Sequence, residues 1–243
     1  KYPKSFVHII SPASVNTNAD QSNSKYRDHK FSTSKKNCLS PRCFNACSDN
    51  SENARIARLV DTSNWIGAAA VIRDFNPLSE VTGYLSDSDD FCSDACSRTL
   101  CPDATYRVKS LNRYICEKVP TSLLDITPSN NHTIGIVGAG PTGLTCAHYL
   151  ARLGYLVDIY ERKNVVGGKM RWDTTTFRVP EEVLSREISN LTLPSIRIFY
   201  NKKLGIDISI DQLKHRYDYI FLGCGSRPNP FPIINNNHIK NAI

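Results

Sequence analysis

The chain has 243 residues, 40% of them hydrophobic and 22% charged, with a formal net charge of +7 and nine cysteines. That length and apolar content suffice for one large globular domain or two modest ones. No run approaches the roughly 18 apolar residues of a membrane span, and no basic-then-apolar leader opens the chain, so a soluble protein of the cytoplasm or an organelle matrix is expected rather than a secreted one.

The cations are scattered, with only short pairs such as Lys35-Lys36 and Lys202-Lys203, so no nucleic-acid-binding stripe is expected. An odd cysteine count argues against a complete disulfide framework, which brings metal or cluster ligation into consideration. Seven of the nine cysteines lie between Cys38 and Cys116, whereas Cys146 and Cys224 stand alone further on.

Residues 1–36 are rich in Ser, Asn and Lys and lack sustained periodicity, as in a flexible tail or part of an organelle transit segment. Residues 37–118 carry the clustered cysteines, with helical apolar spacing over Glu52–Asp61 and Asn64–Phe75, so a small helical domain is expected. The Asp- and Ser-rich stretch Ser79–Asp94 reads as a loop. Residues 119–131 have a linker's Pro, Ser and Asn content.

From residue 132 the pattern alternates. Strands are expected at TIGIVG, YLVDIYE, SIRIFYN and YDYIFLG, and helices at PTGLTCAHYLARLG, PEEVLSREISN and SIDQLKHR. This order is that of an α/β fold with a parallel, Rossmann-like sheet.

Gly138-Ala139-Gly140-Pro141-Thr142-Gly143 sits between the first strand and the first of these helices, where a dinucleotide fingerprint requires it. Gly138 suits a tight turn, Gly140 a close approach of backbone to a diphosphate, and Gly143 the packing of helix on strand, with the helix N-terminus facing the phosphate charge. Glu161 ends the second strand, where a carboxylate accepts ribose hydroxyls and rejects a 2′-phosphate. Arg162 follows it, and the doublet Gly167-Gly168 with Lys169 forms the next turn. Cys146 and Cys224 are expected to be small core residues rather than reactive thiols, and His148 a surface or packing residue rather than a ligand.

Together with TTTFRVPEEVLSREI (174–188) and YDYIFLGCGSRP (217–228), these motifs resemble the glutamate synthase small subunit and the FAD-binding part of dihydropyrimidine dehydrogenase, over roughly residues 38–243. The resemblance implies FAD as cofactor, with the glycine doublet near the flavin nucleotide, Arg178 of Phe177-Arg178-Val179-Pro180 beside the FAD, and the Leu204 backbone against its adenine. It implies NADPH or NADH as electron donor, acting through a second Rossmann domain with no glycine fingerprint in this sequence. A larger oxidoreductase subunit, or the remainder of a longer chain, is the partner it implies.

In that family the helical domain holds two four-iron, four-sulfur clusters. The matching cysteines are Cys38, Cys43, Cys47, Cys92 and Cys96, but Lys35, Ser86 and Asn112 stand where relatives carry further ligands. An ammonium cannot ligate iron, and a hydroxyl or amide does so poorly, so an iron–sulfur cluster, zinc and no metal all stay open. Three functional readings stand as well: an FAD-dependent NAD(P)H oxidoreductase module, with adrenodoxin-type ferredoxin reductases as the nearest enzymatic alternative; a noncatalytic subunit that keeps the fold; and a protein binding NAD on a single Rossmann domain.

Overall fold

The computed structural model describes residues 52–85, 95, 108–119, 127–172 and 178–225. The chain begins there with four helices, α1 (Asn53–Asp61), α2 (Trp65–Phe75), α3 (Ser79–Leu85) and α4 (Val108–Lys118). Asn64 starts α2 by accepting the Gly67 amide at 2.8 Å, the expected work of an Asn N-cap. Ile56, Ala68, Ala69, Ile72 and Ile115 close a small core between α1, α2 and α4. Within it the buried guanidinium of Arg73 donates to the carbonyls of Cys116 and Val119, at 2.8 and 2.6 Å, satisfying acceptors that the end of α4 would otherwise leave bare.

The helix α3 corrects the sequence reading, which placed a loop from Ser79. Its start is marked locally by Asn76, whose side chain accepts the Leu78 amide at 3.1 Å, and again from a distant element, where the Glu187 carboxylate accepts the amides of Glu80 and Val81, both at 2.7 Å.

The remaining elements are β1 (Thr133–Val137), α5 (Pro141–Arg152), β2 (Leu156–Tyr160), α6 (Lys169–Trp172), α7 (Glu181–Leu191), β3 (Ile196–Phe199), α8 (Ile210–Arg216) and β4 (Tyr219–Leu222). Apart from α6, a short turn of helix after the glycine doublet, each was expected from the alternation. The strands form one parallel sheet in the order β3-β2-β1-β4, with Ile136 beside both Ile159 and Phe221. Strand order reverses at β1, so a crevice opens past its C-terminal end.

Both faces of a parallel sheet must be covered, and the strands alternate accordingly. Ile134, Ile136, Val157 and Ile159 face the main core with Leu144, Leu150, Val183 and Leu184 of α5 and α7. Val137 and Tyr160 face the other way, against Leu213 of α8 and Tyr217. Gly135 makes room for that tyrosine, since a Cβ there would meet the Tyr217 ring at 2.5 Å. The Tyr217 hydroxyl donates to the buried Asp158 at 2.6 Å, and Arg197 grips the same carboxylate with two bonds, at 2.7 and 2.9 Å, so the buried charge is paired.

Leu78 and Val81 reach into the main core, so the helical part packs directly on the sheet part. Tyr149 donates to the Asp74 carbonyl at 2.8 Å and Arg152 pairs with its carboxylate at 2.9 Å. The end of the expected linker is tied down too: the amides of Thr127 and Asn130 donate to the carbonyls of Arg152 and Gly154, both at 2.9 Å. Among the described residues no helix is long and apolar enough to cross a membrane.

Candidate functional site

Everything singled out from the fingerprint converges on the C-terminal edge of the sheet. Gly138 leaves β1 at φ +100°, and a Cβ there would meet the Gly223 carbonyl oxygen at 2.3 Å. Gly143, in the first turn of α5, would drive a Cβ to 1.9 Å from the Gly138 carbonyl oxygen. These two glycines bring strand and helix together. Gly140 differs, because the nearest atom to a Cβ there is the Gly168 Cα at 3.9 Å. A methyl there would make that one ordinary contact, with the glycine doublet, in a space otherwise open. The ordinary φ of −82° at Gly140 would suit any residue, so the missing side chain keeps that space clear.

Gly140 is also the N-cap of α5 and has no side chain to offer an oxygen, while Pro141 takes the first helical position. The amides of the opening turn therefore face the crevice with the positive end of a 12-residue helix behind them. Ala139 is fully buried and Thr142 is exposed at this turn.

Glu161 follows β2 directly and is buried. One carboxylate oxygen accepts the Ala139 amide at 2.8 Å and the other accepts the Lys163 amide at 3.0 Å. Two main-chain donors fix the group in place, and each oxygen retains a lone pair. The Lys163 bond was not read from the sequence, although an acid two residues before an amide is a common local acceptor.

The glycine doublet packs onto the same turn. The Gly167 amide donates to the Ala139 carbonyl at 2.8 Å, both glycines have positive φ (+114° and +52°), and a Cβ on Gly168 would lie 2.7 Å from the Gly140 Cα. Fingerprint, carboxylate and doublet thus form one hydrogen-bonded unit. Beside it the Lys163 ammonium lies 3.6 Å from the centroid of the exposed Trp172 ring. Arg162 is exposed on the loop from β2, Lys169 is exposed at the start of α6, Arg178 is exposed just ahead of α7, and Leu204 is half-buried beyond β3, bridged to Ile208.

A family model for an NAD(P)-binding Rossmann-like domain matches residues 136–201, which hold this unit. A second, for dihydropyrimidine dehydrogenase domain II with its 4Fe-4S cluster, matches residues 16–122. The NAD-dependent dihydropyrimidine dehydrogenase subunit PreT of Salmonella typhimurium is 31% identical over 196 residues, 78% of this chain and 47% of its own length. The chain is a divergent member of the dihydropyrimidine dehydrogenase and glutamate synthase small-subunit family.

PreT of Escherichia coli K12 is another family member, 28% identical over 85% of this chain and 51% of its own length. The NADPH-Fe(3+) oxidoreductase subunit beta of Geobacter sulfurreducens is 32% identical over 64% of this chain and 24% of its own length. The chain spans about half the length of the PreT proteins it matches. The 4Fe-4S family match begins within the segment expected to be a leader. The candidate ligands Cys38, Cys43, Cys47, Cys92 and Cys96 lie outside the described residues, as do Lys35, Ser86 and Phe177.

Among the described cysteines, Cys116 is buried in the helical core and Cys146 half-buried in α5, and burial pushes both thiols up to about 11. Neither forms a thiolate at neutral pH. Cys224 corrects the expectation of a packing residue, since it is exposed past the end of β4, where Gly223 rather than the cysteine fills the close contact with the fingerprint. Of the surface and packing alternatives for His148, the structure shows packing: the ring is buried against the Leu191 carbonyl at 3.3 Å.

Proposed function

We propose that this chain carries the FAD-binding portion of an NAD(P)H-linked oxidoreductase subunit. The observation that carries the reading is the clear space at Gly140, bordered by an uncapped helix N-terminus on one side and a carboxylate fixed by two amides on the other. An adenosine diphosphate has matching needs: donors and positive potential for its phosphates, and acceptors for two ribose hydroxyls. The residues present therefore fit the cofactor.

In this reading the amides of Thr142 and Gly143 hold the diphosphate, Gly138 and Gly143 set the turn that aims them, and Ala139 and Pro141 shape its floor. Glu161 orients the ribose and excludes a 2′-phosphate. Arg162, Gly168, Lys169, Arg178 and the Leu204 backbone, by resemblance, line the remainder of the FAD. When bound, the flavin supplies the hydride-accepting chemistry.

NADPH or NADH is the proposed electron source, supported by relatives whose names specify NAD and NADPH. The 4Fe-4S family match supports Cys38, Cys43, Cys47, Cys92 and Cys96 as ligands of an onward cluster. A larger subunit, or the rest of a longer chain, would complete the path, as relatives named as subunits suggest.

An absorption spectrum of the chain purified without oxygen tests this reading. Flavin bands that bleach on adding NADPH or NADH, with the remaining portion of the subunit supplied, are expected, and broad iron–sulfur absorbance would assign the cluster as well. A folded chain with no flavin bands, and none after reconstitution with FAD, would refute it.

A further inference from the structure

Lysine and arginine side chains among the described residues generally have partners. Arg152, Arg186 and Arg197 pair with carboxylates, and Lys163 covers the Trp172 ring. Arg162, Lys202 and Lys203 are the exceptions: among the described residues none of their side chains meets a carboxylate or a ring.

All three are exposed, and all three lie on the two loops that leave β2 and β3. These loops are tied together, because the Lys202 amide donates to the Glu161 carbonyl at 2.8 Å and the Asn201 amide to the Lys163 carbonyl at 3.1 Å. Asp207, the nearest acid in sequence to the two lysines, is occupied at one oxygen by the Lys203 amide at 2.8 Å. Tyr200 and Ile206, 43% and 72% exposed, stand in the same loop.

Like charges held on adjoining loops whose side chains form no ion pair raise the local potential, and they attract an anionic partner over about a Debye length. A lone phosphate is held by convergent, sheltered donors, whereas these cations are solvent-exposed and interspersed with an aromatic and an aliphatic side chain. That is the mixture of a protein docking surface, where apolar anchors supply affinity and the charges supply steering. We propose that Lys202 and Lys203, the two cations of this rim that the FAD reading does not use, dock the acidic face of a second protein beside the dinucleotide crevice. The docking does not rest on the proposed function.

Fluorescein-labelled decaglutamate, followed by anisotropy with the full chain at low salt, tests the surface without reading any flavin. Lys202→Glu/Lys203→Glu is expected to weaken binding at least about tenfold and to flatten its salt dependence. A control of equal charge change on α4, Lys109→Glu/Lys118→Glu, is expected to stay within about twofold. Equal loss in both variants would reduce the effect to net charge and overturn the proposal. So would full binding by the Lys202/Lys203 variant, or displacement of the peptide by millimolar inorganic phosphate or ADP, which would mark a small-anion site instead.

Discussion

Glu187 accepts the amide of Glu80 at 2.7 Å across 107 residues of sequence, so the helix that joins the two parts of the chain is capped from the far one. Its second oxygen takes the Val81 amide, and Glu80 in turn pairs with Arg186, the neighbour of Glu187 on α7. The contact is buried on both sides, with Glu80 1% and Glu187 3% exposed.

Glu187→Ala leaves two buried helix-start amides without acceptors and should cost about 2–4 kcal/mol of stability, measured by urea denaturation. Glu187→Gln keeps the one carbonyl acceptor that the protonated acid, favoured by burial below about 8, also has, so at neutral pH it should cost much less than Glu187→Ala. Unchanged midpoints in both would show that α3 does not depend on this cap.

The pH dependence separates two buried groups of opposite sign. Burial lowers His148 from an ordinary 6.5 to about 4, so the stability it permits is complete above 6.5 and is lost as pH falls through 4. Burial pushes Glu187 from 4.5 up to about 8 against the pull of its two amides, so its contribution is complete below 4.5 and is lost as pH rises through 8. Charges facing them are Arg152 and Asp74 for His148, and Glu80 and Arg73 for Glu187. The slopes offset one another between 4.5 and 6.5 in the wild type. Glu187→Gln should expose a loss toward acid and His148→Leu a loss toward alkali, each at most about 1.4 kcal/mol per pH unit. A flat profile in either variant would contradict the assignment for the remaining group.

The fingerprint glycines should divide into two classes. Gly138→Ala and Gly143→Ala put a methyl 2.3 and 1.9 Å from a backbone oxygen and should unfold or strongly destabilise the chain. Gly140→Ala, facing a space otherwise open, should keep stability within about 1 kcal/mol while weakening FAD at least about tenfold. Thermal melts and FAD titrations on the same samples distinguish these effects, and intact FAD affinity in Gly140→Ala would place the diphosphate elsewhere.

Much of this was legible because local chemistry and global fold agree. Alternating Ile134, Ile136, Val157 and Ile159 announce a sheet, and Gly138 and Gly143 occupy positions that no other residue fits. What escaped the sequence depends on partners distant along the chain. Ser79–Leu85 reads as a loop from its composition, although Asn76 just ahead caps it locally, because its second cap at Glu187 lies far along the chain, and Asp158 on β2 looks out of place until Tyr217 and Arg197 close around it. Glu161 was found by position, but its bond to Ala139, which fixes the carboxylate, follows only from parallel β1 and β2 ending side by side. Cys224 was misjudged because an apolar strand precedes it, while the chain has already left the sheet at Gly223.

The most direct measurement is a titration of the cofactor-free full chain with FAD, followed by flavin fluorescence, with ADP and 2′-phospho-ADP as competitors. The proposed adenosine diphosphate site at Gly140 and Glu161 requires one FAD per chain, displacement by ADP, and little or none by the 2′-phosphorylated analogue. A folded chain that ignores FAD, or one from which both competitors displace it equally, would contradict the assignment of Gly140 and Glu161 as the two ends of an adenosine diphosphate site.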